Sequence, residues 1–227
     1  MEKGYRHEYK YLISKADAEL LKLRLPHIME SDAHVGDSGR YTIRSLYFDD
    51  FANTAYYDKI DGLPLRAKYR IRFYDYDSSV IKLEKKEKNG NLTRKTAQTI
   101  TKADARALEY AITSGCPDNP DGLTAELRLA CNSQGLRPRI LVDYDRTPFI
   151  CRDGNTRITL DENVRTRPYI PHLFASPRAM TPVLDPDQVI LEVKFDDFLP
   201  GYLATALADI PKAPMAISKF ALCMNFI

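Results

Sequence analysis

Several signatures that usually announce a function are missing from this sequence. It contains no G-x-x-x-x-G-K-[ST] loop and no G-x-G-x-x-G turn, which excludes a conventional nucleotide-binding loop. Its four cysteines, Cys116, Cys131, Cys151 and Cys223, form no C-x-x-C pair. His7, His27, His34 and His172 have no ligand spacing with one another or with those cysteines. The thiols therefore read as small buried hydrophobes and the histidines as surface or loop residues, without a zinc site. No apolar h-region follows Met1, and no uninterrupted apolar run could span a bilayer. With the absence of a C-x-x-C pair, this leads us to expect a reducing, cytoplasmic location. A surplus of one charge is missing too: 33 Lys and Arg face 31 Asp and Glu, a net charge of +2. Nucleic-acid binders usually show a far more basic balance, so no nucleic-acid partner is expected. Any anion binding must come from where the charges sit.

What is present is globular. With 44% hydrophobic and 28% charged residues in 227, the chain can build one domain with a full core, spanning residues 1–227. No solenoid-length repeat or low-complexity linker divides it. The recurring element is the strand, expected at Tyr5–Ile13, Tyr41–Asp49, Arg66–Asp75, Val80–Lys88, Leu92–Ile100, Pro138–Phe149, Thr156–Asp161 and Val189–Asp196. Asn89-Gly90 and Asp153-Gly154 carry tight-hairpin signals, and Asp75–Ser79 reads as a slightly longer turn. Antiparallel neighbours follow. Helices fill the gaps. Ser14 caps a run of helically spaced leucines that Pro26 stops, and Thr101 starts a second helix in the same way. Leu123–Cys131 (ended by Gly135), Tyr202–Ile210 and Ser218–Phe226 complete the set. The proline-rich stretch Arg165–Asp187 reads as a loop. The fold class expected is α+β: eight antiparallel strands with helices packed outside.

In a strand, residues two apart share a face. Lys68, Arg70 and Arg72 thus oppose Tyr69, Ile71 and Phe73. The same division recurs: Lys82, Glu84, Lys86 and Lys88 against Leu83, Arg157, Thr159 and Asp161 against Ile158 and Leu160, Glu192 and Lys194 against Leu191, Val193 and Phe195, and Glu8 and Lys10 against Tyr9 and Tyr11. Solvated cross-strand Glu–Lys pairs would give such a pattern. The surplus of cations argues otherwise. If these faces line one lumen, Lys10, Lys68, Arg70, Arg72, Lys82, Lys86, Lys95, Arg146 and Arg157 crowd a few carboxylates. Two like charges about 6 Å apart repel by roughly 3 kcal/mol at an effective dielectric near 20, unless a polyanion neutralises them. Arginine forks and lysine point charges suit phosphoryl oxygens, and the remaining glutamates suit a divalent metal bridging those oxygens.

These residues sit in Glu8-Tyr9-Lys10-Tyr11, Ser45-Leu46-Tyr47-Phe48-Asp49, Lys68-Tyr69-Arg70-Ile71-Arg72, Lys82-Leu83-Glu84-Lys85-Lys86, Asp143-Tyr144-Asp145-Arg146, Ile190-Leu191-Glu192-Val193-Lys194-Phe195 and Ser218-Lys219-Phe220. In that order and spacing the chain resembles the VTC-domain family, the polyphosphate polymerase branch of the triphosphate tunnel metalloenzymes. The resemblance implies an eight-stranded antiparallel tunnel that moves the terminal phosphoryl group of ATP to a polyphosphate chain, with Mn²⁺ or Mg²⁺. It implies phosphate contacts from Lys10, Lys68, Arg70, Arg72, Lys82, Lys86, Lys95, Tyr144, Arg146, Arg157, Lys194, Ser218 and Lys219. Among these, Lys219, Arg70 and Arg72 would serve the transfer itself, and Glu192 would hold the metal. Phosphoryl transfer needs mainly positioning and charge neutralisation, so no Ser-His-Asp triad is expected. Two departures stand out. Arg6 occupies the first position of the superfamily's Glu-x-Glu-x-Lys, which weakens a two-metal reading. The chain also lacks the sensor and membrane segments of the eukaryotic proteins, so a membrane partner stays open. Two rivals use the same residues: a tripolyphosphatase or nucleoside triphosphatase with water as nucleophile, and a non-catalytic binder of polyphosphate or RNA.

Overall fold

The computed structural model describes residues 6–32, 35–36, 38–90, 92–110, 121–169, 171–175, 179–210 and 213–226. Cys116 and His34 lie outside the described residues. In chain order the elements are β1 (His7–Ser14), α1 (Lys15–Arg24), β2 (Glu30–Ser31), β3 (Tyr41–Asp49), α2 (Thr54–Ile60), β4 (Leu65–Tyr74), β5 (Asp77–Asn89), β6 (Leu92–Ile100), α3 (Lys102–Glu109) and α4 (Gly122–Ser133). They continue with β7 (Arg137–Cys151), β8 (Thr156–Pro168), β9 (Thr181–Pro182), β10 (Gln188–Phe195), α5 (Gly201–Ala206) and α6 (Lys219–Met224).

Local chemistry sets the boundaries. Ser14 Oγ accepts from the Asp17 amide while the Asp17 carboxylate accepts from the Ser14 amide, and Thr101 and Asp104 repeat this capping box at α3. Pro26 sits in a short 3-10 turn over Leu25–His27, where α1 stops. The β4–β5 turn is tighter than the sequence signalled. Asp75 and Tyr76 both have positive φ (49° and 58°), and Tyr74 pairs directly with Asp77. That is the two-residue twist-matched hairpin. At the β7–β8 turn, Gly154 has φ 60°, and an added Cβ would lie 2.3 Å from the Phe198 carbonyl oxygen. Only glycine fits there.

The strands pair antiparallel in the order β1-β10-β8-β7-β3-β4-β5-β6, with β2 on β7 and β9 on β8. The class is α+β and mostly antiparallel, as expected, but the expectation of eight strands closed into a tunnel is corrected. Among the described residues there are ten strands: eight form a path with two ends, β1 and β6, and β2 and β9 attach beside it. The additional two are two-residue ladders, too short to carry periodicity. β8 also runs on to Pro168, through residues the sequence assigned to a loop. Asn163, at φ 50°, breaks the regular alternation in mid-strand. α2 gave no sequence signal because none of its residues is buried.

Two compact units emerge. The first comprises Met1–Thr42, Tyr144–Val164 and Pro182–Ser218, and the second Ile43–Asp143, Arg165–Thr181 and Lys219–Ile227. The first is built on Ile13, Leu21, Leu25, Phe149, Ile158, Leu160, Leu191 and Leu203. The second is built on Leu46, Phe48, Ile71, Phe73, Leu83, Leu108, Leu127 and Leu141. In both, the strand face opposite the charged residues supplies the core, which leaves the charged face available for chemistry. Among the described residues no helix is long and apolar enough to cross a membrane.

Candidate phosphate site

In the second unit, register assembles the cations. Tyr47 lies across from Arg70 and Arg70 from Glu84, while Ser45, Arg72 and Lys82 form the next rung. On the other side of the first rung, Lys68, Lys86 and Lys95 form a third. Alternation fixes these side chains on one face because Tyr69, Ile71, Phe73 and Leu83 are committed to the core. Glu84 is the carboxylate at the centre of these three rungs. It is 2% exposed, and its Oε2 accepts from Arg70 Nε at 2.6 Å. Lys95 Nζ lies 2.5 Å from Glu84 Oε1, and Arg72 Nη1 lies 3.9 Å from Oε2. Arg70 Nη1 donates to the Tyr47 hydroxyl at 2.9 Å, and Arg72 Nε to Ser45 Oγ at 3.3 Å.

Tyr47, Lys68, Arg70, Glu84, Lys86 and Lys95 line a cleft of about 10 Å³. That holds about one water-sized sphere, so the cations are folded in around Glu84. Phe220 of α6 packs 5.0 Å from the Tyr47 ring, with Lys68 Nζ 5.6 Å from its own centroid. Lys219 therefore directly precedes a residue packed against the cleft wall. α6 has six residues, too few for its end to act as an anion site by itself.

The electrostatics follow. Burial alone would raise the Glu84 carboxyl, but Arg70, Arg72 and Lys95 hold it well below the usual carboxylate range. Burial pulls the Lys95 ammonium from 10.5 down to about 8, Arg70 and Arg72 adding to the fall and Glu84 opposing it. About half of the Lys95 side chain is exposed, so water limits the size of the effect. Between pH 8 and 10.5 the unfolded chain binds more protons at this group than the folded one, so its contribution to ligand-free stability rises with pH. Anion affinity has the opposite sign. Tripolyphosphate binding is expected to weaken as pH climbs through about 8. Calorimetric titrations from pH 7 to 10 check this: Lys95→Arg, which stays charged, should flatten the profile, and an unchanged profile in that variant refutes the assignment.

The first unit holds a different kind of cluster. Lys10 faces Glu192 and Glu8 faces Lys194 across β1 and β10, and Thr159 and Arg157 of β8 continue these rungs. Lys10 Nζ lies 2.8 Å from Glu8 and 3.5 Å from Glu192. Lys194 Nζ lies 2.5 Å from Glu192 and 3.9 Å from Glu8. Burial disfavours the Lys10 ammonium, but Glu192 and Glu8 outweigh it and raise its pKa. Arg146 forms a two-pronged pair with Asp161, at 2.6 and 2.8 Å, and its guanidinium lies 5.3 Å from the Tyr144 ring centroid. Arg157 Nη2 donates to Asp32 at 2.8 Å and to the Tyr41 hydroxyl at 3.0 Å. Ser218 is buried beside the start of α6. Lys10, Lys194, Arg146 and Arg157 each have a carboxylate partner, and Arg70, Arg72 and Lys95 meet on Glu84.

Two residues missed by sequence reasoning matter. Tyr47 appeared only inside a motif, although its position across from Arg70 places its hydroxyl on the cation face. Asp32 precedes a stretch without periodicity, and nothing in the sequence links it to Arg157.

Among the described residues no group of three or more His, Cys, Asp or Glu is placed to hold an ion. Glu8 and Glu192 nevertheless converge on the same two ammonium groups. Two carboxylates fit Mg²⁺ or Mn²⁺ in the mode where phosphate oxygens and water complete the shell.

The fold is an α+β, mainly antiparallel sheet that presents clustered lysine and arginine on one face of β4, β5 and β6. The chain belongs to the VTC domain family, whose description matches residues 5–227. No curated protein matches the sequence. Among solved structures it is similar to a candidate adenylate cyclase from Bacillus halodurans, with a TM-score of 0.52 and 18% identity over 92% of this chain and 89% of that one. A candidate adenylate cyclase from Vibrio parahaemolyticus aligns at TM-score 0.47 and 14% identity, over 91% and 83% of the two chains. A conserved protein of Pyrococcus furiosus gives 0.49 and 9%, over 95% and 99%. At such identities the first likeness shows a shared fold and nothing further.

Proposed function

We propose that this protein is a polyphosphate polymerase-type phosphotransferase: a terminal oxygen of a polyphosphate chain attacks the γ-phosphorus of ATP, the bond to the β-phosphate oxygen breaks, and ADP leaves. The observation that carries this reading is the cleft where Lys68, Arg70, Arg72, Lys86 and Lys95 surround one carboxylate. Such a cluster favours a chain of several charges, and phosphoryl transfer depends mainly on neutralising charge on oxygens that move little. Arg70 and Arg72 would grip the transferring group, with Lys82 adding charge across from Arg72 and Lys219 offered from the start of α6. In the first unit Lys10, Lys194, Arg146, Arg157, Tyr144 and Ser218 are the residues offered to phosphate. Glu192, with Glu8, would hold a divalent cation. That cation would supply further neutralisation on phosphoryl oxygens. Family membership supports a triphosphate-acting enzyme.

The test is incubation with ATP and Mn²⁺. Long-chain polyphosphate is the expected product, and tripolyphosphate should raise the melting temperature, more at low salt than at high. Orthophosphate alone would replace the polymerase with a hydrolase. Binding without any turnover would leave only a binder.

A further inference from the structure

Glu84 is unusual among the carboxylates of this molecule. It is almost fully buried inside a cleft otherwise lined by Tyr47 and cations, and it receives Arg70, Arg72 and Lys95 together. A carboxylate offers a planar pair of anionic oxygens, and a phosphate group offers the same to an arginine fork. Arg70 commits both Nε and Nη2 to a single Glu84 oxygen, 2.6 Å from each, and these are donors that a phosphate oxygen would otherwise take. The small volume of the cleft has the same cause, because the side chains close on Glu84.

We propose that Glu84 is a resident competitor anion: its carboxylate holds the donors that an incoming phosphate needs, so only a polyanion that also engages Lys68 and Lys86 displaces it. Displacement is a fixed penalty incurred once per ligand. Orthophosphate has too few further contacts to overcome it, whereas a triphosphate or longer chain gains additional lysines along the rung Lys68–Lys86–Lys95. Glu84 would thereby set the lower limit on ligand charge and keep free phosphate from occupying the grip. Once displaced, its charge must be met elsewhere, which also favours a ligand accompanied by a cation. The inference rests on the phosphate-gripping role of the cleft and adds its specificity.

The experiment is calorimetric titration of the full chain with orthophosphate, pyrophosphate and tripolyphosphate at fixed ionic strength. Glu84→Gln keeps the shape and drops the charge. It is expected to bind all three anions about 10- to 100-fold more tightly than wild type, the range for losing a charge-assisted competitor contact. Orthophosphate binding should become measurable at millimolar concentration. The gain should persist in 0.5 M salt, because the group is buried. Glu87→Gln, on the opposite face of the same strand and paired with Lys85, controls for bulk charge and should change affinity by less than about twofold under screening. Arg70→Ala should weaken every anion. If Glu84→Gln does not fold, Glu84→Asp retracts the carboxylate from Arg70 while keeping its charge, and a several-fold gain for orthophosphate is then expected.

Unchanged or weaker anion binding in either foldable variant would overturn the competitor role and make Glu84 a positioning residue for the guanidinium groups. A gain equal to that of Glu87→Gln would overturn it as well. Failure of wild type to bind tripolyphosphate at all would instead strike the parent reading. Turnover without polymer would leave this inference standing.

Discussion

Glu192→Gln is expected to lower phosphoryl transfer from ATP with Mn²⁺ by about 10²-fold or more, while tripolyphosphate affinity stays within about threefold of wild type. Glu192 is 5% exposed on β10 and lies between the ammonium groups of Lys10 and Lys194. The amide keeps its size and hydrogen-bonding capacity but loses the charge that would draw in a divalent cation. Glu8 still reaches both lysines, so their charges are not left without an acid. A purely structural ion pair predicts the reverse pattern: a lower melting temperature with near-normal turnover. Rates at saturating Mn²⁺, measured beside melting curves, separate the two. Wild-type turnover in the variant would remove Glu192 from the chemistry.

The second large effect concerns stability. Asp143→Ala should destabilise the second unit by about 3–5 kcal/mol, because it strands a buried guanidinium. Arg44 is 1% exposed and donates to both Asp143 oxygens, from Nε at 3.0 Å and Nη2 at 2.8 Å. Its Nη1 donates to the carbonyls of Leu173 and Ala175, at 3.2 and 2.9 Å, so the pair also anchors the segment after β8. Tyr76 completes the arrangement, its hydroxyl donating to Asp143 at 3.1 Å while its ring lies 4.6 Å from the guanidinium carbon. A double replacement, Arg44→Met with Asp143→Leu, should recover most of the loss, since apolar residues of similar volume replace buried ion pairs at little cost. Urea midpoints for the three proteins check this. A loss below about 1 kcal/mol in Asp143→Ala would mean that water reaches the arginine.

Arg44 also shows where sequence reading stops. As a lone cation on β3 among Ile43, Ser45 and Leu46, it carries no pattern, and its acid lies on β7 with a separation of 99 residues. Glu84 was legible as a carboxylate on the cation face of its strand. Its commitment to Arg70, Arg72 and Lys95 required the registers of β4 against β5 and β5 against β6. The apparent surplus of cations at Lys10, Arg146 and Arg157 was likewise incomplete. Asp161 and Asp32 supply partners that strand-by-strand counting could not assign.

By itself the sequence determined the elements with strong local chemistry: the capped helices at Ser14 and Thr101, the limits of β3 and β6, and the division of each strand into a charged and an apolar face. These depend on neighbours within a few residues, where propensity, alternation and capping act. Tertiary structure alone decided strand order, the path of eight paired strands with two short ones attached to it, and the partner of each charge. Hydrogen-bond registers and ion pairs join residues tens to hundreds of positions apart, and a one-residue slip would reverse every face. The same cations therefore read as one surplus along the chain, yet fold into a balanced cluster around Glu192 and a cation-rich one around Glu84.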